Sequence, residues 1–241
     1  MQTIGLIGGM SWHSTASYYR LINEIVAERL GGHASAQVAL QSLDFAAVRQ
    51  CQVDGDWDGA GELLAEAGRR CVAGGADVVA ICTNLMHKVA PAVEAAIDVP
   101  LLHIADAVAG VASPQGWDRL GVLGARWVME ETFYAERLAR HGITAVAPGP
   151  DDRDLVDRVV FDELTQGRLL DESRAAYVAV IERLAEQGAQ AVVLACTEIG
   201  LLVGPDDSPL PLIDSADAHA RALAEVALSQ EVALASASAA I

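Results

Sequence analysis

The sequence has little positive charge, and its basic residues are almost all arginines. Lysine and arginine together number 16 against 33 acidic residues, which gives a formal net charge of −17. That charge argues against binding to nucleic acid or to anionic lipid. Lys88 is the only lysine, and we expect it in a helix facing solvent. Enzymes that use pyridoxal phosphate need a lysine for their Schiff base, so we expect chemistry without that cofactor.

Long apolar runs, disulfide patterns and metal-binding patterns are also missing. No run approaches the roughly 18 apolar residues needed to cross a bilayer, and the first residues lack the cationic start and cleavage site of a secretory signal. We therefore expect a soluble, cytoplasmic protein. The 4 cysteines have no C-x-x-C spacing, and the 6 histidines have no ligand-like spacing. These patterns predict free thiols, no bound metal and no other cofactor.

Apolar residues are abundant and follow a repeating pattern. Hydrophobic residues make up 52% of the 241 residues, enough for one large or two small domains. Short apolar strands alternate with helical periodicities, which is typical of parallel sheets in α/β proteins. We predict strands near residues 3–10, 36–45, 76–82, 100–104, 119–126, 143–147, 190–196 and 209–213, with helices that include 87–97 and 129–141.

The pattern restarts near residue 119, which indicates an internal duplication. Gly124 follows Gly8 by 116 residues, and Cys196 follows Cys82 by 114. A near-constant offset predicts two similar flavodoxin-like α/β/α domains with parallel sheets, related by a pseudo-two-fold axis. We expect an N-terminal domain from residues 1–100 and 216–230, a C-terminal domain from 101–215, and a disordered tail over 231–241.

Two apolar, β-branched runs end in the same residue pair. One leads into Cys82-Thr83-Asn84 and the other into Cys196-Thr197-Glu198. Each run predicts a buried strand that carries a thiol to its carboxyl edge, where open α/β sheets bind ligands. Two such edges facing one pocket would place a sulfur atom on each side of a bound molecule. Cys51 and Cys71 lie outside this pattern, and we interpret them as packing or surface residues.

Paired thiols suit a racemase that works without a cofactor. One thiolate removes a proton from a stereocentre, and a thiol on the opposite face returns one. A free thiol has a pKa of about 8.5, and a helix N-terminus beside it would lower that pKa. The carbanion would be stabilised by N–H groups and hydroxyls from Thr83, Asn84 and Thr197.

The glycine turn after the first strand allows other functions. Its N–H groups and the helix N-terminus after Ser11 suit a carboxylate or a phosphate. The glycines at 5, 8 and 9 do not match the dinucleotide fingerprint G-x-G-x-x-G. A serine-hydrolase elbow at Ser11 lacks its last glycine, so a nucleophilic Ser11 is the lesser alternative.

These motifs together resemble the aspartate/glutamate racemase family, in particular its broad-specificity amino-acid racemase branch. The resemblance runs from about residue 4 to residue 225. It rests on Gly8–Trp12 with Ser14-Thr15 and Tyr18-Tyr19, Cys82–Asn84 with Met86-His87, Gly124 through Tyr134, Phe161–Leu164 with Gly167, Cys196–Ile199, and Asp214–Ala216 with His219. It implies two similar α/β domains, usually in a homodimer, and pyridoxal-independent racemisation of aspartate or glutamate by paired cysteines.

The resemblance also implies roles for individual residues. Cys82 and Cys196 would be the acid/base pair. The substrate-binding residues would be Met10, Ser11, Thr83, Asn84, Thr197 and Glu198. Members often meet the substrate's side-chain carboxylate with basic residues, for which Arg49 and Arg168 are the candidates here, although each also fits a solvated surface. Members often have threonines after the glycine of the fifth strand, where this chain has Ala125 and Val128.

The sequence thus predicts a racemase that interconverts L- and D-aspartate and/or glutamate by proton transfer at Cα. Two alternatives stay open. A protein with the same scaffold could use one cysteine as a covalent nucleophile, as in maleate isomerisation or arylmalonate decarboxylation. It could also bind amino acids without catalysis.

Overall fold

The computed structural model describes the backbone of residues 1–238 and the side chains of residues 1–229. The predicted tail over 231–241 lies outside the residues whose side chains are described. Contacts divide the chain into two units: Met1–His103 with the chain from His219 onward, and Ile104–Ala218. The sequence places these divisions at 100/101 and 215/216.

The first unit is built on a parallel sheet of three strands. These are β1 (Ile4–Gly8), β2 (Val38–Ser42) and β3 (Val78–Ile81), in the order β2-β1-β3. β1 pairs with both neighbours, and every residue of β1 and β3 is buried. Strands buried on both faces have continuous apolar sequences, which explains why β1 and β3 carry no polar side chain.

The strand predicted over residues 100–104 is reduced to one bridge, between Val79 and Leu101. The Val79 N–H donates to the Pro100 carbonyl oxygen at 2.9 Å, and the Leu102 N–H donates to the Val79 carbonyl oxygen at 2.9 Å. Pro100 has no N–H that could extend the ladder, and a helix begins at Ile104. These two limits leave room for a single paired residue.

Three of the first unit's helices begin where the sequence supplies a cap. Helices α1 (Trp12–Leu30), α2 (Phe45–Asp54) and α3 (Trp57–Ala73) follow Ser11, Asp44 and Asp56, whose side chains each accept a first-turn N–H. Helix α4 (Ala90–Ala96) follows a 3₁₀ turn, Leu85–Val89. The helix predicted over 87–97 is therefore divided between a 3₁₀ turn and a short α-helix.

The second unit has four parallel strands: β4 (Arg119–Gly124), β5 (Thr144–Val146), β6 (Ala191–Ala195) and β7 (Leu212–Asp214), in the order β5-β4-β6-β7. Its helices are α5 (Ile104–Ala112), α6 (Arg126–Glu130), α7 (Thr132–Ala139), α8 (Pro150–Asp162), α9 (Asp171–Glu186) and α10 (Ile199–Leu202), with 3₁₀ turns at Ser113–Gln115, Leu164–Gln166 and Pro205–Asp207. Helix α11 (Ser215–Ser238) begins in this unit and continues into the first. Over residues 1–238, no helix is long and apolar enough to cross a membrane.

The single helix predicted over 129–141 is two helices, α6 and α7, separated at Glu131. The backbone of Glu131 is extended, with φ of −88° and ψ of 159°. Helix α6 begins at Arg126, earlier than predicted, and the Asp157 carboxylate of α8 accepts the Arg126 N–H at 2.7 Å. This cap comes from 31 residues away, so local periodicity could not reveal where the helix begins.

Both sheets place the first strand of the unit in the centre, between the second and the third. The prediction of two α/β units with parallel sheets is therefore confirmed. A Cβ atom added at Gly5 of β1 would lie 2.8 Å from the Cβ of Cys71, and one at Gly121 of β4 would lie 2.9 Å from the Cδ1 of Leu184. Each glycine thus lets a helix pack closely on the central strand. Cys71 is a buried part of that packing, and burial raises the pKa of its thiol to about 11.

Gly9, in the turn after β1, provides a test of how closely the first sheet's edge is packed. Its φ is 90°, and a Cβ atom there would lie 2.1 Å from the Leu43 carbonyl oxygen; Gly75 has the same φ and nothing within 4 Å of its Cβ position. Gly75→Ala should lower the free energy of unfolding by about 1 kcal/mol through backbone strain alone. Gly9→Ala should cost at least about 2 kcal/mol more, because the backbone must also move. Urea unfolding followed by circular dichroism measures both, and equal losses would contradict the close approach.

Candidate active site

Cys82 lies at the carboxyl edge of the first sheet, directly after β3, and is 1% exposed. Its N–H donates to the Ile7 carbonyl oxygen at 2.9 Å, which extends the pairing with β1. Its own carbonyl oxygen accepts the Ser14 hydroxyl at 3.3 Å. Ser14 belongs to the first turn of α1, so this contact joins the turn after β1 to the end of β3.

The turn after β1 is held by side chains of α1. The Gly9 N–H donates to the Thr15 hydroxyl at 2.8 Å, and the Ser11 hydroxyl accepts the Ser14 N–H at 3.4 Å as the cap of the helix. Met10, between them, is buried. The capping role accounts for Ser11 without a nucleophilic function.

Thr83 and Asn84 follow Cys82 and lead into the 3₁₀ turn. Asn84 is buried at 2% exposure. The His87 ring lies with Nδ1 at 2.8 Å from the Thr83 carbonyl oxygen, and the His87 N–H donates to the Asn84 carbonyl oxygen at 3.1 Å. The backbone acceptors of Cys82, Thr83 and Asn84 are therefore each held by a named donor.

Arg49, on α2, is connected to the Cys82 turn through a glutamine that the sequence analysis did not identify. Its guanidinium donates to the Gln52 side-chain oxygen at 3.3 Å, and the Gln52 amide donates to the Met86 sulfur at 3.2 Å. Gln52 and Met86 are both buried. A buried glutamine inside a helix gives no sequence signal of this contact, because its partner lies 34 residues away.

Lys88 lies next to His87 but reaches a different surface. Its ammonium group is 3.8 Å from the centroid of the Trp57 ring, a cation–π distance. Trp57 and Lys88 border a groove of about 750 Å³ between α3 and α4. The lysine is therefore partly covered by an aromatic ring instead of lying fully in solvent.

Cys196 occupies the equivalent position in the second sheet, directly after β6, and is partly buried. Its thiol lies 3.2 Å from the Glu198 carboxylate, and the Thr197 hydroxyl donates to the same carboxylate oxygen at 2.6 Å. The Glu198 carboxylate therefore contacts both the Cys196 thiol and the Thr197 hydroxyl. This carboxylate has no counterpart at Cys82, where Asn84 occupies that position.

Besides Glu198, one more acidic side chain acts on Cys196, and another carboxylate is buried elsewhere in the unit. Asp157, the cap of α6, is close enough for its charge to act on the thiol. Glu163 is 7% exposed and accepts the Ser173 hydroxyl at 2.5 Å. The sequence analysis counted Glu163 only as part of a motif and did not identify Asp157, whose role depends on where α8 packs.

Three further positions singled out in the sequence lie in the second unit: Arg168, and Ala125 and Val128, where threonines were expected. The Arg168 side chain is exposed. The backbone N–H of Arg168 donates to the Glu163 carbonyl oxygen at 3.0 Å, across the turn at Gly167. Ala125 and Val128 are both buried. Neither residue therefore offers the polar contact expected at these two positions.

The pKa values of both site thiols are raised, which favours the protonated form of each at neutral pH. Burial, with a smaller contribution from Cys71, raises the pKa of Cys82 far above its ordinary value. Burial and the Glu198 charge raise the pKa of Cys196 as well. The prediction that a helix N-terminus lowers these pKa values is wrong. Only a 3₁₀ turn follows Cys82 and only the four-residue α10 follows Cys196, so neither position has a long helix dipole to offset burial.

Among the described residues, no group of three or more His, Cys, Asp or Glu side chains is arranged to hold a metal ion. The chemistry that the two sheet edges offer is that of thiols with carboxylate, hydroxyl and amide neighbours.

The fold and these edges define a two-unit α/β protein with a cysteine at the carboxyl edge of each parallel sheet. A sequence model described as Asp/Glu/Hydantoin racemase matches residues 7–223. The chain therefore belongs to the Asp/Glu/hydantoin racemase family, which confirms the resemblance seen in the sequence.

Solved structures agree with this assignment. A protein from Yersinia pestis described as a candidate Asp/Glu racemase is 47% identical, with a TM-score of 0.90 over 95% of this chain and 100% of that one. An aspartate racemase homologue from Pyrococcus horikoshii OT3 is 29% identical, with a TM-score of 0.82 over 94% of this chain and 99% of that one. A double mutant of arylmalonate decarboxylase shares the fold at 17% identity, with a TM-score of 0.52 over 93% of each chain.

The raised thiol pKa values lead to a test by alkylation. Iodoacetamide reacts with thiolates, so at about pH 7 the partly exposed Cys51 should be modified at least ~10 times faster than the buried Cys82. The Cys82 rate should keep rising above about pH 9, because the thiol loses its proton only as the pH approaches its raised pKa. Timed quenching and peptide mass spectrometry give each rate. A Cys82 rate that levels off below about pH 8 would contradict the protonated resting state.

Proposed function

We propose that this protein is a cofactor-independent racemase of aspartate and/or glutamate, with Cys82 and Cys196 as its acid/base pair. The observation that carries the proposal is the equivalent placement of the two cysteines. Each lies directly after the third strand of a parallel sheet, and the first three strands of both sheets have the same order. Membership of the family and the 47% identical protein described as a candidate Asp/Glu racemase support it.

Proton transfer from Cα requires one of the resting thiols to become a thiolate. Glu198 lies 3.2 Å from the Cys196 sulfur and is the nearest group able to take that proton. The Thr197 hydroxyl, 2.6 Å from the same oxygen, keeps the carboxylate in place. We propose that Cys196 passes its proton to Glu198 and then removes the Cα proton, while the thiol of Cys82 supplies the returning proton. The transfer leaves Cys82 as a thiolate and Glu198 protonated, and proton exchange with water restores both groups before the next turnover. In the reverse direction Cys82 loses its proton to water and removes the Cα proton, and the thiol of Cys196 supplies the returning proton.

The carbanion needs hydrogen-bond donors that are in position before the reaction. Thr83 and Asn84 follow one cysteine and Thr197 follows the other, so each sheet edge offers such groups. For the substrate's side-chain carboxylate, Arg49 is the better supported of the two arginines, because Gln52 and Met86 connect it to the Cys82 turn. A local arginine would also offset the repulsion between an acidic substrate and a chain with a net charge of −17.

Two alternatives differ in chemistry. One cysteine could act as a covalent nucleophile in an isomerase or decarboxylase, and arylmalonate decarboxylase does share the fold. The protein could also bind amino acids without turnover. Intact cysteines in both units favour the racemase over both alternatives. The proposal includes a homodimer and a cytoplasmic location, for which the family resemblance and the sequence composition are the support.

The cysteine pair is tested by single substitutions. Cys82→Ser and Cys196→Ser should each lower the rate of racemisation at least ~100-fold, because serine is a far weaker acid and base at this position. Chiral chromatography of reactions started from each enantiomer of aspartate and glutamate measures the rate. Cys51→Ser is the control and should keep the wild-type rate. A Cys82 or Cys196 variant as fast as the wild type would overturn the two-base mechanism.

Glu198 is tested by Glu198→Gln, which keeps the size of the side chain and removes its charge. We expect kcat to fall about 10–100-fold. Because the equilibrium constant of a racemisation is one, kcat/KM must fall equally for both enantiomers. The difference between the two enantiomers should appear instead in the kinetic isotope effect on α-deuterated substrate. This isotope effect should rise only for the enantiomer that Cys196 deprotonates.

Glu186→Gln, at an exposed position on α9, is the matched control and should leave both isotope effects unchanged. An isotope effect in Glu198→Gln that rises equally for the two enantiomers would rule out a specific partnership between Glu198 and Cys196.

A further inference from the structure

Three buried histidines in the first unit have no role in the chemistry proposed above. His87, His103 and His219 are 2%, 4% and 0% exposed. The His87 ring centroid lies 4.3 Å from that of His103 and 5.9 Å from that of His219. The three residues come from the turn after Asn84, the segment before α5, and α11. We call these three residues the histidine cluster.

Hydrogen bonds fix the state of His219. Its Nε2 lies 2.8 Å from the Leu102 carbonyl oxygen, and its Nδ1 lies 2.9 Å from the Tyr18 hydroxyl. A carbonyl oxygen can only accept, so Nε2 carries the hydrogen. In the neutral ring, Nδ1 then accepts from Tyr18. This arrangement connects α11 to α1 through one imidazole ring.

The same reasoning assigns His87. Its Nδ1 faces the Thr83 carbonyl oxygen at 2.8 Å, so Nδ1 carries the hydrogen and donates. Burial, together with repulsion from His103 and His219, holds the pKa of His87 well below its ordinary value. The ring is therefore a neutral, fixed donor at physiological pH.

The contact between the His87 ring and the Thr83 carbonyl oxygen lies one residue beyond the proposed catalytic cysteine, Cys82. Three successive carbonyl groups, those of Cys82, Thr83 and Asn84, accept from the Ser14 hydroxyl, the His87 ring and the His87 N–H. His87 thus supplies two of the three donors. A buried carbonyl left without a donor costs roughly 1–3 kcal/mol, so loss of the ring would favour a different path for this turn.

We propose that His87 is a positioning residue for Cys82, and that the histidine cluster supports it by fixing its ring against α1 and α11. The proposal rests on the proposed function for its kinetic consequence. Its structural consequence, the burial of the Cys82 thiol, is independent of any substrate.

The test compares His87→Leu with His87→Asn. The side-chain nitrogen of asparagine occupies the position of the histidine Nδ1 and can donate to Thr83, whereas leucine fills space without a donor. His33→Leu, at an exposed position, is the control. Three quantities are measured for each variant: the rate at which iodoacetamide modifies Cys82, and the kcat and KM for racemisation.

His87→Leu should raise the Cys82 alkylation rate at least ~10-fold, because the turn no longer shields the thiol, and should lower kcat at least ~10-fold while KM changes less than ~3-fold. His87→Asn should stay within ~3-fold of the wild type in all three quantities. Tyr18→Phe, which removes the hydroxyl that donates to His219, should change the same quantities in the same direction by a smaller factor. If His87→Leu does not fold, His87→Asn and Tyr18→Phe decide the question.

Wild-type alkylation in His87→Leu would overturn the proposal, as would equal defects in His87→Asn and His87→Leu. If His87→Leu does not fold, wild-type behaviour of Tyr18→Phe would overturn the proposal as well. If wild-type protein racemises no amino acid but the alkylation rates follow the expected order, the proposed function fails while the positioning role of His87 stands.

Discussion

The parallel pairing of β3 with β1, and of β6 with β4, is the constraint on which the rest of the structure depends. Parallel strands end at the same edge of a sheet, so a cysteine placed directly after the third strand lies beside the turn that follows the first. The register ends at Ile7 opposite Ile81 in one sheet and at Gly124 opposite Ala195 in the other. Both thiols therefore occupy the edge where open α/β sheets bind ligands.

The two edges keep the same sulfur and differ in the groups around it. Cys196 has a carboxylate at 3.2 Å, whereas the Cys82 turn is held by a serine hydroxyl and a neutral imidazole. Burial raises both thiol pKa values, which favours protonated thiols at neutral pH. The two units thus present the same thiol in unlike surroundings, and the proposed mechanism uses the difference by giving the Cys196 proton to Glu198.

The sequence allowed prediction of features that depend on neighbouring residues. The buried strands, the Cys-Thr pairs at their ends and the restart near residue 119 all follow from local patterns. Features that depend on distant contacts could not be predicted: the Asp157 cap that begins α6, the contact of Gln52 with Met86, and the histidine cluster. The thiol pKa values were predicted in the wrong direction, because burial raises them more than the short helical turns after each cysteine can lower them.

The most direct test of the central claim follows the Cα hydrogen in deuterium oxide, with L-aspartate and L-glutamate as substrates. Proton NMR reports exchange at Cα, and intact-protein mass spectrometry reports any adduct. Transfer through two thiols predicts that each turnover to the D-enantiomer places a solvent deuteron at Cα, with no change in the mass of the protein. Retention of the original hydrogen, or an adduct on a single cysteine during turnover, would contradict the account.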